Sequence, residues 1–205
     1  GVETGLIRQA ILSRKGAEKV LPFRYVAAAR ACPQMEPALD EALCEAIAGS
    51  PILPGRTVVM VDVSGSMNSP LSGKSDLTRK DAAATLASII HGDVRMFSFA
   101  DKVMELPPRR GMAGVDAITK SQSGGTRLFD AIHAINQQVP YDRLIVITDE
   151  QDTGGAIRQC PDPLAKGYMV NVANNKNGVG YGKWTHIDGF SERILNWMRE
   201  AESDS

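Results

Sequence analysis

The chain has 205 residues, 43% hydrophobic and 23% charged, with a formal net charge of −1. That balance suits a folded protein with a sizeable core and gives no global electrostatic attraction to nucleic acid or acidic lipid. No apolar run approaches the roughly 20 residues needed to cross a bilayer, no signal peptide opens the sequence, and three cysteines without a C-x-x-C spacing fit a reduced, cytoplasmic setting.

Residues 1–50 read as a helical segment. Residues 5–17 place Leu6, Ile7, Ala10 and Ile11 on one helical face. Leu21-Pro22 opens a second helix, since proline is tolerated in a first turn. Pro33 and Pro37 break it, and residues 37–48 form a third helix with Leu39, Leu43, Ala46 and Ile47 as its apolar face. Gly49-Ser50-Pro51 ends the series. These helices carry more apolar surface than so short a segment can bury alone, so they should pack on the main domain or on a partner. The segment is also the most basic part of the chain, with Arg8, Arg14, Lys15, Lys19, Arg24 and Arg30.

Residues 51–205 alternate strand and helix. Thr57 to Val61 is apolar and largely β-branched, the pattern of a strand buried on both faces. A polar loop over 68–75 leads to a helix over 77–91, a strand over 93–99 and, after the two-residue turn Ala100-Asp101, a short antiparallel edge strand over 102–106. A short helix at 114–120 precedes a Ser-Gly-Gly-Thr loop, and another helix covers 127–138. A fourth strand is expected at 143–148, a short helix near 154–159, a fifth strand at 168–172 and a sixth at 184–187. An Asn- and Gly-rich loop occupies 174–183, and a final helix starts at Ser191. The alternation predicts an α/β fold, a doubly wound and mostly parallel sheet ordered 3-2-1-4-5-6 with only the 102–106 strand antiparallel.

The chemistry concentrates where buried strands meet polar loops. The first strand ends in Asp62-Val63-Ser64-Gly65-Ser66, the second loop is Ser123-Gly124-Gly125-Thr126, and the fourth strand ends in Thr148-Asp149. In open α/β sheets, ligands bind at the carboxyl ends of the strands. Asp62, Ser64, Ser66, Thr126 and Asp149 together offer two carboxylates and three hydroxyls, all hard oxygens. That donor set suits Mg²⁺, with Mn²⁺ as the alternative ion, because such ions take octahedral oxygen coordination and keep several waters. Few protein ligands leave a position open to a carboxylate from outside.

At these residues the chain resembles the von Willebrand factor A domain. That resemblance implies a Rossmann-like fold and a metal-ion-dependent adhesion site of the form D-x-S-x-S, then Thr, then Asp. Asp62, Ser64 and Ser66 match its first element, Thr126 its second and Asp149 its third. The resemblance spans roughly residues 55–200. It implies that Asp62 and Asp149 act mainly through waters, that Ser64, Ser66 and Thr126 reach the ion, and that an acidic residue of a protein partner completes the shell.

Leu21-Pro22-Phe23-Arg24, the helices after it and the run into Val61-Asp62-Val63-Ser64-Gly65-Ser66-Met67 are further similar to the junction in TROVE-domain (Ro) proteins. Thr148-Asp149-Glu150 and Ile187-Asp188-Gly189-Phe190 are similar to the same family. This resemblance implies that residues 1–50 end a ring of helical repeats. It also implies a ribonucleoprotein that binds small noncoding Y RNAs and serves RNA quality control, mainly through the ring. Within the chain, Arg8, Arg14, Lys15 and Lys19 are the candidate RNA contacts. The expected protein is a monomeric, non-enzymatic binding domain without a membrane partner.

Rival readings rest on the same residues. A metal-dependent phosphatase with Asp62 as nucleophile would want a second acid two residues on, and Ser64 stands there. Ser64-Gly65-Ser66 lacks the G-x-S-x-G elbow, and no G-x-x-x-x-G-K-[ST] loop exists. His91, His133 and His186 are scattered, and read as packing or surface residues. Arg109-Arg110 with Lys102, and Lys176 with Lys183, read as solvated charge, and Trp184 as a core residue rather than a base-stacking partner of Tyr181. The alternative function is an A domain of another intracellular assembly, a chelatase or ATPase-associated factor, taking a partner carboxylate through Mg²⁺.

Overall fold

The run Thr57–Asp62 forms strand β1 and is buried at every position, as six residues without polar alternation require. The computed structural model describes residues 4–13, 20–72, 77–173, 182–189, 191 and 193–203. In chain order the elements are α1 (Thr4–Ser13), α2 (Pro22–Ala31), α3 (Glu36–Ala48), β1, α4 (Arg79–Ser88), β2 (Val94–Phe99) and β3 (Val103–Leu106). They continue with α5 (Gly111–Thr119), α6 (Leu128–Gln138), β4 (Arg143–Thr148), β5 (Lys166–Asn171), β6 (Thr185–Asp188) and α7 (Arg193–Ser203).

The six strands lie in the order β3-β2-β1-β4-β5-β6. All neighbours are parallel except β2 and β3, which the short turn at Ala100–Lys102 folds back antiparallel. From β1 the chain winds one way to β2 and β3, and from β4 the other way to β5 and β6. A switch point therefore opens between the carboxyl ends of β1 and β4. Side chains of β1 alternate between two cores. Val59 and Val61 join the core under α4, α5 and α7, and Val58 and Met60 join the one under α6.

Helices α2 and α3 share the first of these cores, with Tyr25, Val26, Ala29, Leu39, Leu43 and Ile47 buried in it. Two polar side chains fix the docking. The Arg30 guanidinium donates to Asp116 Oδ1 at 2.7 Å and stands 3.6 Å from Asp81 Oδ1. Asp40 Oδ1 accepts the Met112 amide at 2.7 Å, capping the start of α5. Gly111 precedes that amide at φ +62°, and a side chain there would meet the Asp40 carboxylate.

Several expected boundaries move. The helix anticipated near 154–159 does not form. Its amides are taken by side chains instead: Gly154 N donates to Asp152, and Ala156 N and Ile157 N donate to Asp130. The helix expected at 77–91 starts at Arg79, because Thr78 makes a reciprocal capping box with Asp81, and it stops at Ser88. The 114–120 helix begins earlier, at Gly111, through the cap from Asp40. The fifth strand starts at Lys166, and the sixth covers Thr185–Asp188. Residues 14–17 of the first helix and most of the 174–183 loop lie outside the described residues.

At the amino end of the sheet, Arg143 is 2% exposed. It donates to Glu202 Oε1 at 2.6 Å and also to Glu202 Oε2, to Thr57 Oγ1 at 2.7 Å and to Pro54 O at 3.1 Å. Tyr168 OH donates to the same carboxylate at 2.9 Å, so the last turn of α7 is fastened to β1, β4 and β5. Removing Glu202 strands a buried guanidinium. We expect Glu202→Ala to cost about 3 kcal/mol in urea unfolding. Glu105→Gln, which breaks the exposed Arg95–Glu105 pair, should hardly move the midpoint.

Candidate metal centre

The parallel register of β1 and β4 pairs Val61 with Ile147, which sets Asp62 beside Thr148 at the switch point. Asp62 Oδ2 accepts the Thr148 hydroxyl at 2.7 Å, and Asp62 Oδ1 accepts the Ser64 amide at 2.9 Å. A 3-10 turn over Gly65–Asn68 then brings Ser66 Oγ to 3.3 Å from Ser64 Oγ. The second loop is tied on by Gly65 N, which donates to Gly124 O at 2.9 Å. Thr126 is held by Thr153: the Thr153 hydroxyl and amide both donate to Thr126 O, and Thr126 N donates to the hydroxyl at 3.1 Å. Three loops distant in sequence thus meet at one point.

Asp62, Ser64 and Asp149 are wholly buried, and Thr126 is nearly so. Burial pushes the Asp62 carboxyl up to about 6. The like charge of Asp149 adds to the rise, while bonds from Ser64 and Thr148 oppose it. Arg79 faces the other acid, its guanidinium donating to Asp149 Oδ2 at 3.1 Å. Lys80 is also buried, and that burial lowers its ammonium pKa against the pull of Asp62 and Asp81. Glu150 follows Asp149 in the left-handed region, at φ +57°, with its carboxylate 3.0 Å from His186 Nδ1.

The donor chemistry fits a hard divalent cation. Asp62, Ser64, Ser66, Thr126 and Asp149 present only oxygen, from elements whose backbones are bonded together. Among the described residues no group of three or more His, Cys, Asp and Glu side chains is placed to hold a metal, so any ion here must use the mixed carboxylate–hydroxyl set.

The other candidates fall as follows. Arg8 is exposed on α1, whereas Arg14, Lys15 and Lys19 lie outside the described residues, as do Lys176 and Tyr181. Arg30 is spent on Asp116 and Asp81. Lys102, Arg109, Arg110 and Lys183 are exposed, and Trp184 is a core residue whose Nε1 donates to Pro161 O. His186, read as bland from its sequence, pairs with the residue beside Asp149.

Sequence reasoning also missed Arg79, Lys80 and Thr153. One signal was available: an Arg-Lys pair in the first turn of a helix opposes the helix dipole. Such a pair calls for an acid from elsewhere in the fold.

A six-stranded doubly wound sheet with this set of switch-point loops defines a von Willebrand factor A-type domain. The chain belongs to the Ro60 vWA domain family, whose model matches residues 56–161. No curated relative matches in sequence. The Ro (RSR) protein of Deinococcus radiodurans has the same fold over 97% of this chain, with a TM-score of 0.65 and 17% identity. This chain covers 49% of that protein, so it spans about half its length. Looser similarities are to an aerotolerance-related membrane protein of Bacteroides fragilis (TM-score 0.44, 14% identity, 71% of this chain and 98% of that one). The ArnB paralog VWA2 of Sulfolobus acidocaldarius is similar to the same degree (TM-score 0.42, 17% identity, 73% of this chain and 45% of that one).

The raised pKa of Asp62 gives a stability signature. Between its ordinary 3.8 and about 6 the folded chain binds more protons than the unfolded one. Stability therefore falls as pH rises through that window and stays lower above it. Asp62→Asn removes the slope. In urea unfolding with EDTA it should exceed wild type by on the order of 2 kcal/mol near neutral pH and lose that advantage near pH 4. A constant difference across pH would mean that Asp62 ionises normally.

Proposed function

We propose that this chain is the metal-dependent binding domain of a Ro-type ribonucleoprotein and not an enzyme. Asp62, Ser64, Ser66, Thr126 and Asp149 would hold Mg²⁺, with Mn²⁺ as a substitute, and an acidic residue of a protein partner would bind at the same point. When bound, the ion supplies the positive charge that draws that carboxylate. The protein's part is to keep its oxygens converged and the two acids away from bulk water. The observation that carries this reading is the convergence of Asp62, Ser64, Ser66 and the Thr126 loop at the switch point, joined there by the buried Asp149. Ser64, where a phosphatase of the Asp-nucleophile type needs an acid, supports binding over catalysis.

RNA is assigned to the full-length protein, with Arg8, Arg14, Lys15 and Lys19 as this chain's share. Beside the centre, Glu150 and Asp152 are acidic and disfavour phosphate. Cys32 and Cys44 are free thiols, which suits a cytoplasmic setting. No helix among the described residues is long and apolar enough to cross a membrane.

Calorimetric titration tests the metal reading. Asp62→Ala removes one of two carboxylates and should weaken Mg²⁺ and Mn²⁺ binding at least about tenfold without unfolding the domain, since separating like charges relieves repulsion. Unchanged affinity would falsify the site.

Filter binding with structured and 3′-tailed RNAs tests the division of labour. Two or three phosphate contacts, a rough count, give a shallow salt dependence. Binding should be weak, insensitive to EDTA, and reduced by charge reversal at Arg8, Arg14, Lys15 and Lys19. Tight binding that EDTA abolishes would place RNA at the metal centre instead.

A further inference from the structure

Arg79 is the first residue of α4, where the helix dipole disfavours a cation. Its backbone has no freedom to leave. Arg79 N donates to Ser69 O at 3.0 Å, Thr78 before it is locked in the capping box, and Pro70 bridges to Thr78. Asp81 of that box faces Arg30 of α2. The side chain is differently placed. It reaches the wholly buried Asp149, yet keeps 19% of its own surface in solvent, so it has an exit that Asp149 lacks.

Charge makes the contact consequential. Asp62 and Asp149 contribute two negative charges, and Arg79 and the buried Lys80 contribute two positive ones, so the cluster is balanced by the chain's own residues. A divalent ion on the same oxygens leaves an excess of two positive charges in a poorly solvated place, where like charges repel strongly. Of the two basic heads, Arg79 is bonded directly to a candidate ligand and can move to water.

We propose, on the basis of the metal-site reading above, that Arg79 is a resident counter-cation of Asp149 that a divalent ion must displace. Arg79 thereby lowers the metal affinity of the centre. It also holds Asp149 in place when metal is scarce, so metal uptake carries a side-chain switch at the rim where the partner's carboxylate arrives.

The test is titration of the full chain with MgCl₂ and MnCl₂, followed by calorimetry, for wild type, Arg79→Gln, Arg79→Met and Arg79→Lys. Arg79→Gln and Arg79→Met remove the competing charge by different shapes, so one can stand in if the other misfolds. Each should bind the ions about tenfold tighter, the scale of one charge-assisted hydrogen bond, and Arg79→Lys should stay near wild type. Thermal unfolding gives a second readout: the neutral variants should melt below wild type in EDTA and gain more than wild type from Mg²⁺. Binding that Asp62→Ala abolishes but that the neutral variants leave unchanged or weaken overturns this inference and spares the metal site. Absence of binding in wild type and neutral variants alike overturns both.

Discussion

Two carboxylates, Asp62 and Asp149, are held without solvent at the ends of adjacent parallel strands, and much of the structure around them serves to make that tolerable. Ionised acids so buried need partners in the fold. Asp62 is satisfied by the Ser64 amide two residues on and by the Thr148 hydroxyl that the β1–β4 register delivers. Asp149 takes its partner from afar, through an arginine seventy residues earlier in the chain. The loops that meet here are bonded to one another by backbone groups, Gly65 to Gly124 and Thr153 to Thr126, so the chain itself holds them together.

The opposite pole of the sheet offers an instructive contrast. Arg143 is as deeply buried as the two acids, but its donors are taken up by Glu202, Thr57 and Pro54, and Tyr168 closes the remaining side of Glu202. That cluster fastens α7, and the half-exposed Lys166 adds its ammonium 3.4 Å from Glu202 Oε2. At the switch-point pole, Ser66 and Arg79 are partly exposed while the acids beneath them are not. Buried charge alone does not mark a functional site. What differs between the poles is the setting: the acids lie at the switch point among hydroxyl-bearing loops, whereas Glu202 sits in the last turn of a helix.

Much of this was legible in the sequence because the relevant signals were local. The apolar run ending in Asp62, the two-residue turn before β3 and the Gly-Gly-Thr loop were enough to order the six strands and to single out the loops at the switch point. What could not be read was set by contacts across the fold. The stretch near 154–159 looks helical until Asp130, from a helix earlier in the chain, claims the Ala156 and Ile157 amides, while Asp152 takes the Gly154 amide locally. Helix α5 begins three residues early because Asp40, from another helix, caps it. Arg79 and His186 resemble ordinary surface residues until the register of distant strands sets acids beside them.

The apolar core that α2 and α3 share with α4 and α5 bears on how the protein can be divided. The family match begins at residue 56, after both helices. A fragment cut there would retain every strand and every candidate ligand. It would also lose Val26, Leu43 and Ile47 from their buried places and leave the start of α5 without its Asp40 cap. The newly bared surface on α4 and α5 would be contiguous and apolar, the kind that seeks another copy of itself. Self-association, with the sheet intact, is the behaviour such a fragment would show.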